Sequence, residues 1–160
     1  MPAPYNVLDV CRYIIKYSAT KQEEISNLKL QKELYFVQAA FLVKKGICCF
    51  DERMEAWDFG PVVPVAYRYF RKYGGLNISS REGIYYYAED DIWQNNKIYF
   101  NDNVFSSDDK KIIEEIVDKL SQYAASFLVQ VTHKQDPWKY SYQRYANNQI
   151  TPGAIKEFFK

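Results

Sequence analysis

One histidine and three cysteines in 160 residues leave little material for metal or nucleophile chemistry. Cys48 and Cys49 are adjacent, with Asp51 and Glu52 close behind. Neighbouring cysteines rarely converge on one tetrahedral ion, and no second Cys or His cluster completes the set, so no metal is expected. An odd number of cysteines with one vicinal pair is also a poor disulfide framework, which points to a reducing compartment. Long apolar runs are missing: none approaches the ~18–20 residues of a membrane span. The N-terminal stretch MPAPYNVLDVCRYII has no basic lead followed by a long apolar region, so the expected location is the cytoplasm, with no membrane partner. An excess of one charge is missing as well. The net charge is +1, distributed as about +3 over residues 1–75, about −2 over 76–100 and a balance over 101–160. Sequence-independent nucleic-acid binding draws on clustered Lys and Arg, so DNA and RNA are not the expected partners. With neither a Gly-x-x-x-x-Gly-Lys-Ser/Thr loop nor Gly-x-Gly-x-x-Gly, no nucleotide cofactor is expected either.

What the chain has in quantity is rings. Its 15 Tyr, 10 Phe and 3 Trp make 18% of the residues, within a hydrophobic share of 48%. A chain of this length buries roughly two-thirds of its unfolded surface, enough for one core without disulfide staples. Rings with polar tips suit contact with another protein.

Apolar spacing sets the element order. Asn6 precedes Val7, Val10, Cys11, Ile14 and Tyr17, an N-cap followed by a helical stripe over about Val7–Tyr17. Ser26 or Asn27 opens a second helix with two adjacent stripes, Leu30, Leu34, Val37, Phe41 and Leu28, Tyr35, Ala39, Leu42; Gly46 ends it. A helix apolar on two faces needs cover on more than one side, which predicts a central helix. Gly60-Pro61 reads as the start of a third helix, with Pro61 its first residue and Pro64 in the first turn, closed by Gly74-Gly75. Residues 76–105 carry short β-favouring runs, 83–87 and 97–100, and predict a small hairpin or irregular segment. Further helices follow from Ser106 or Ser107, over Ser126–His133, at Pro137 and after Thr151-Pro152. The expected fold is mainly α, a compact multi-helix single domain over 1–160 around a central helix, with a small antiparallel β segment, leaning to α+β.

Three stretches in this order carry a resemblance: Ile25-Ser26-Asn27-Leu28-Lys29-Leu30-Gln31-Lys32-Glu33-Leu34-Tyr35-Phe36-Val37-Gln38-Ala39; Glu55-Ala56-Trp57-Asp58-Phe59-Gly60-Pro61-Val62-Val63-Pro64-Val65-Ala66-Tyr67 closed by Tyr73-Gly74; and Thr132-His133-Lys134-Gln135-Asp136-Pro137-Trp138. Together they resemble the Panacea domain of antitoxins and of proteins from phages and other mobile elements, the SocA-like and GepA-like group. Glu33 departs from that pattern, which more often has an apolar residue there. The resemblance implies neutralisation of a protein toxin, encoded by an adjacent gene, through direct contact. In the SocA-like branch it also implies an adapter that delivers the toxin to an ATP-dependent protease.

The resemblance marks Leu30, Tyr35, Trp57, Gly60, Pro61, Thr132, His133, Pro137 and Trp138 as structural. Trp57 is expected to fill core volume, with Gly60 as a permissive joint beside it. Trp138 is read as a core anchor for the C-terminal segment, with partner contact as the alternative. Lys29, Gln31 and Lys32 occupy polar positions of the central helix, open either to solvent or to a partner, and are the candidate partner-binding residues. No catalytic residues are assigned. The enzymatic alternative would pair His133 with a cysteine. Against it, His133 ends a predicted helix, where an imidazole bonds exposed carbonyls and fixes the turn into Pro137-Trp138. Glu114-Glu115 and Asp90-Asp91 are sequence neighbours rather than partners on one helix face, and read as solvated surface.

Overall fold

The computed structural model describes residues 3–160, so Met1 and Pro2 of the N-terminal stretch read above lie outside the described residues. In chain order the elements are α1 (Val7–Thr20), α2 (Asn27–Lys45), β1 (Met54–Trp57), β2 (Gly60–Val62), α3 (Pro64–Phe70), β3 (Tyr85–Tyr86), β4 (Ile98–Tyr99), α4 (Ser107–Leu120), α5 (Ala125–His133), α6 (Asp136–Lys139), β5 (Gln149–Ile150) and α7 (Pro152–Phe159). The protein is mainly α with a small antiparallel component, as its patterning predicts.

Helix boundaries follow local chemistry. The Asn6 side chain accepts from Leu8 N and Ser26 from Lys29 N; Ser106 accepts from Asp109 N and Thr151 from Ala154 N, so four helices start on side-chain caps. Gly46, at φ 73°, ends α2 by donating to the Leu42 carbonyl.

Helix α2 is central. It packs against α1, α3, α4, α5, α7 and β2. Its first stripe, Leu30, Leu34, Val37 and Phe41, is fully buried, in one core with Val10 and Ile14 of α1, Ile113 and Val117 of α4, and Ile155 of α7. With neighbours on so many sides, α2 buries its polar residues too: Asn27, Lys29, Gln31, Lys32, Glu33 and Gln38 are all inside.

Two sheets complete the fold. The larger has the order β2-β1-β5, antiparallel throughout, with Trp57 opposite Gly60, Ala56 opposite Pro61 and Met54 opposite Ile150. The smaller pairs Tyr85 with Tyr99 and Tyr86 with Ile98, the hairpin expected in residues 76–105.

The expectation for Pro61 is corrected here. Pro61 lies in β2, and Pro64 is the proline that starts the third helix. The chain reverses at Asp58-Phe59, and Gly60 at φ 101° receives the returning strand. Strand β2 is a sheet edge, where a proline's missing N–H breaks no ladder.

Candidate functional site

The three sequence stretches meet at the β1–β2 hairpin. From α2, the Lys32 ammonium donates to the Pro61 carbonyl at 2.7 Å. Gln31 accepts from Val63 N at 2.9 Å and donates to Asn27 at 3.0 Å, and Asn27 donates to the Tyr67 carbonyl at 3.0 Å. The polar edge of α2 therefore grips the backbone from Pro61 to Tyr67. From α5, Thr132 lies against Gly60: a Cβ there would sit 2.7 Å from Thr132 Oγ1 and 2.9 Å from Lys32 Cε. Left-handed backbone and lack of room both require glycine. Beyond α5, Trp138 Nε1 donates to the Trp57 carbonyl at 2.8 Å. The Trp138 ring is stacked between His133 and Tyr142, with centroids 4.0 and 4.5 Å away.

This places the predicted residues. Leu30, Tyr35, Gly60, Pro61, Thr132 and Pro137 are buried, and Tyr35 also donates to Gln135 at 2.8 Å, tying α2 to the turn before α6. Lys29, Gln31 and Lys32 are not solvent-facing, which corrects the expectation for them: Gln31 is 1% exposed and Lys32 0%. Lys29 is buried as well, donating to Glu23 at 3.0 Å and to the Ser121 carbonyl at the end of α4 at 3.2 Å. Sequence polarity suggested exposure, but these groups satisfy carbonyls and carboxylates inside the fold. Burial lowers the Lys32 pKa to about 7.

Trp57 is a second correction. Its ring is half-buried rather than core, donating to Glu55 at 2.9 Å with its edge against Tyr67 at 5.1 Å. His133 is a third: expected to bond exposed carbonyls, its ring instead stacks on Trp138, and its buried Nε2 has no hydrogen-bond partner among the described residues. Of the acidic neighbours, Glu115 and Asp90 are exposed as expected, while Glu114 and Asp91 are partly covered; Glu114 accepts from Tyr13, Glu115 from Lys44, and Asp91 from the Asn95 and Asn96 amides. Cys11 and Cys49 are buried free thiols; burial drives both pKa values up and holds them protonated, the opposite of what a nucleophile needs.

On the outer side of the hairpin lies a cleft of about 530 Å³ that sequence reasoning did not reach. Trp57, Phe59, Tyr67 and Tyr145 supply its rings, Asn27, Gln31 and Asn147 its side-chain amides, and Asp58 its one formal charge among the described residues. Phe59 is 66% exposed and Tyr145 92%, so two rings stand at the rim. Tyr142 donates to one Asp58 oxygen, fixing the carboxylate's position. The signal available in the sequence was the Trp-Asp-Phe-Gly order, a tight turn flanked by large rings; Tyr145 is nearly ninety residues away and gave none.

The site is a hairpin braced by α2 and Trp138, bearing exposed rings beside a helical core. The family described as antitoxin SocA-like, Panacea domain, matches residues 30–139. Antitoxin SocA of Caulobacter vibrioides (strain NA1000 / CB15N) is 34% identical over 138 residues, 86% of this chain and 70% of that protein. The chain belongs to the SocA-like Panacea family. No solved structure matches it.

Among the described residues, no helix is long and apolar enough to cross a membrane.

Proposed function

We propose that this chain is a cytoplasmic antitoxin that neutralises a protein toxin, encoded beside it, by binding it directly, and that 1–160 acts as one unit in doing so. The observation that carries the reading is the convergence of all three family stretches on the Gly60 hairpin, which holds a ring-lined cleft open at the surface. Aromatic anchors on a rigid support are what protein interfaces use, because few rotatable bonds are frozen on binding. The account is one of binding rather than catalysis, since the buried cysteines are held protonated and His133 is stacked on a ring. Within it, Lys29, Gln31 and Lys32 act from inside, Gln31 and Lys32 by fixing the hairpin and Lys29 by joining α2 to the end of α4.

The test is co-expression of the chain with each neighbouring gene product, scored for growth rescue and for co-purification. Rescue with a recovered complex supports the proposal; rescue without one, or a wild-type chain that rescues from nothing, contradicts it. The adapter reading differs in one measurable quantity: the toxin's half-life would fall when this chain is present and an ATP-dependent protease is active.

A further inference from the structure

The cleft beside the hairpin has a narrower chemistry than general stickiness. Its lining holds four aromatic rings and one formal charge, the Asp58 carboxylate at the turn. Tyr142 occupies one carboxylate oxygen, and the other has no hydrogen-bond partner among the described residues. The amides of Asn27 and Gln31 are already committed to Tyr67, Val63 and each other. The unused recognition groups among the described residues are therefore ring faces, the Asp58 carboxylate oxygen and the Asn147 side-chain amide, and the rings with the carboxylate complement a cation on an apolar stem.

The nearby backbone narrows the mode of binding. A partner strand cannot extend the sheet at β2, because Pro61 offers no N–H and its carbonyl is taken by Lys32. What can enter is a side chain. At the rim, the chain's own Arg144 lies over the Tyr145 ring with its guanidinium carbon 4.9 Å from the centroid, so one face of that ring is already covered by a guanidinium.

We propose that this cleft receives an arginine side chain of the bound partner, its guanidinium paired with Asp58 and its plane and stem against Trp57, Phe59 and Tyr145. Arginine suits the site better than lysine because a planar guanidinium can stack on rings while its directed N–H groups reach the free Asp58 oxygen. This deepens the antitoxin reading and rests on it for the identity of the partner. The chemistry of the cleft can be tested without that partner.

The probes are three blocked tripeptides, acetyl-Gly-X-Gly-amide, with X as arginine, as its neutral isostere citrulline, or as leucine. The readout is the indole N–H signals of Trp57, Trp93 and Trp138 in the full chain, Trp57 being assigned with a Trp57→Phe variant. The arginine peptide is expected to shift the Trp57 signal, and citrulline to bind at least about tenfold more weakly. Asp58→Asn, with its melting checked, is expected to erase most of that difference. Equal binding of citrulline or leucine, or a response confined to Trp93 or Trp138, would overturn the proposal. A second arm uses the neighbouring toxin: Asp58→Asn is expected to weaken its capture about tenfold, and undiminished capture would overturn the assignment of the arginine to the toxin. If wild-type protein captures no toxin, the antitoxin reading fails by itself, and the peptides still decide what the cleft binds.

Discussion

The indole N–H of Trp138 donates to the main-chain carbonyl of Trp57 at 2.8 Å, joining a C-terminal helix turn to the mouth of the β1–β2 hairpin across 81 residues. Trp138→Phe keeps most of the ring between His133 and Tyr142 but leaves that carbonyl without its donor. The expected loss is about 1 kcal/mol in urea unfolding. Trp138→Ala, which also removes the stacking, should lose about 3 kcal/mol. An unchanged midpoint for Trp138→Phe would mean that the hydrogen bond contributes nothing, and equal losses for the two variants would mean that the stacking contributes nothing.

Gly60→Ala forces a side chain into left-handed backbone and into Thr132 and Lys32 at once. Backbone strain and overpacking each cost about 1–3 kcal/mol, so a loss of about 2–6 kcal/mol is expected. An unchanged urea midpoint would show that the hairpin can re-form without the contact.

Glu33 gives a pH signature. Its carboxylate is 0% exposed, neither oxygen has a hydrogen-bond partner among the described residues, and burial raises its pKa to about 8, partly opposed by Lys29. Between the unfolded value of 4.5 and about 8 the folded chain holds a proton that the unfolded chain has released. Stability is therefore highest below this window and falls as pH rises through it. Lys32 acts in the other direction: between about 7 and 10.5 the unfolded chain holds the extra proton, so stability rises with pH there. Glu33→Gln should remove the carboxyl decline, so that its advantage over wild type grows from about pH 5 to about pH 8. Glu33→Leu should gain about 1–4 kcal/mol at the upper end if the leucine packs without strain. Parallel stability profiles for wild type and Glu33→Gln would contradict the buried ionisation.

Charge reversal on α2 should act through folding. Lys32→Glu would set a carboxylate against the Pro61 carbonyl in a closed site, at a cost of about 3–5 kcal/mol. Thermal melting should show the loss before any binding assay does. A fully stable Lys32→Glu protein would mean that the site opens to water.

The legible and illegible parts of this chain divide along physical lines. The stripe Leu30, Leu34, Val37, Phe41 was readable because a helix repeats its buried face locally, and Asn6, Ser26, Ser106 and Thr151 were readable because a cap acts within three residues. Pro61 misled because a proline beginning a helix and one on an edge strand share the same local virtue, a missing N–H that nothing needs. Lys29, Gln31 and Lys32 misled because several of their partners, such as Pro61, Val63 and Ser121, come from segments about thirty or more residues away, and no local pattern announces them. The cleft was hidden for the same reason: Tyr145 joins Trp57 and Phe59 only through the fold.

The most direct test of the account is a titration of the purified neighbouring toxin into wild-type protein and into Phe59→Ser. Phe59 is an exposed ring at the cleft rim, so its loss should change stability by no more than about 0.5 kcal/mol. The account predicts a tight wild-type complex, and for Phe59→Ser an unchanged melting temperature with affinity lower by about tenfold or more. Binding by Phe59→Ser as tight as by wild type would contradict it.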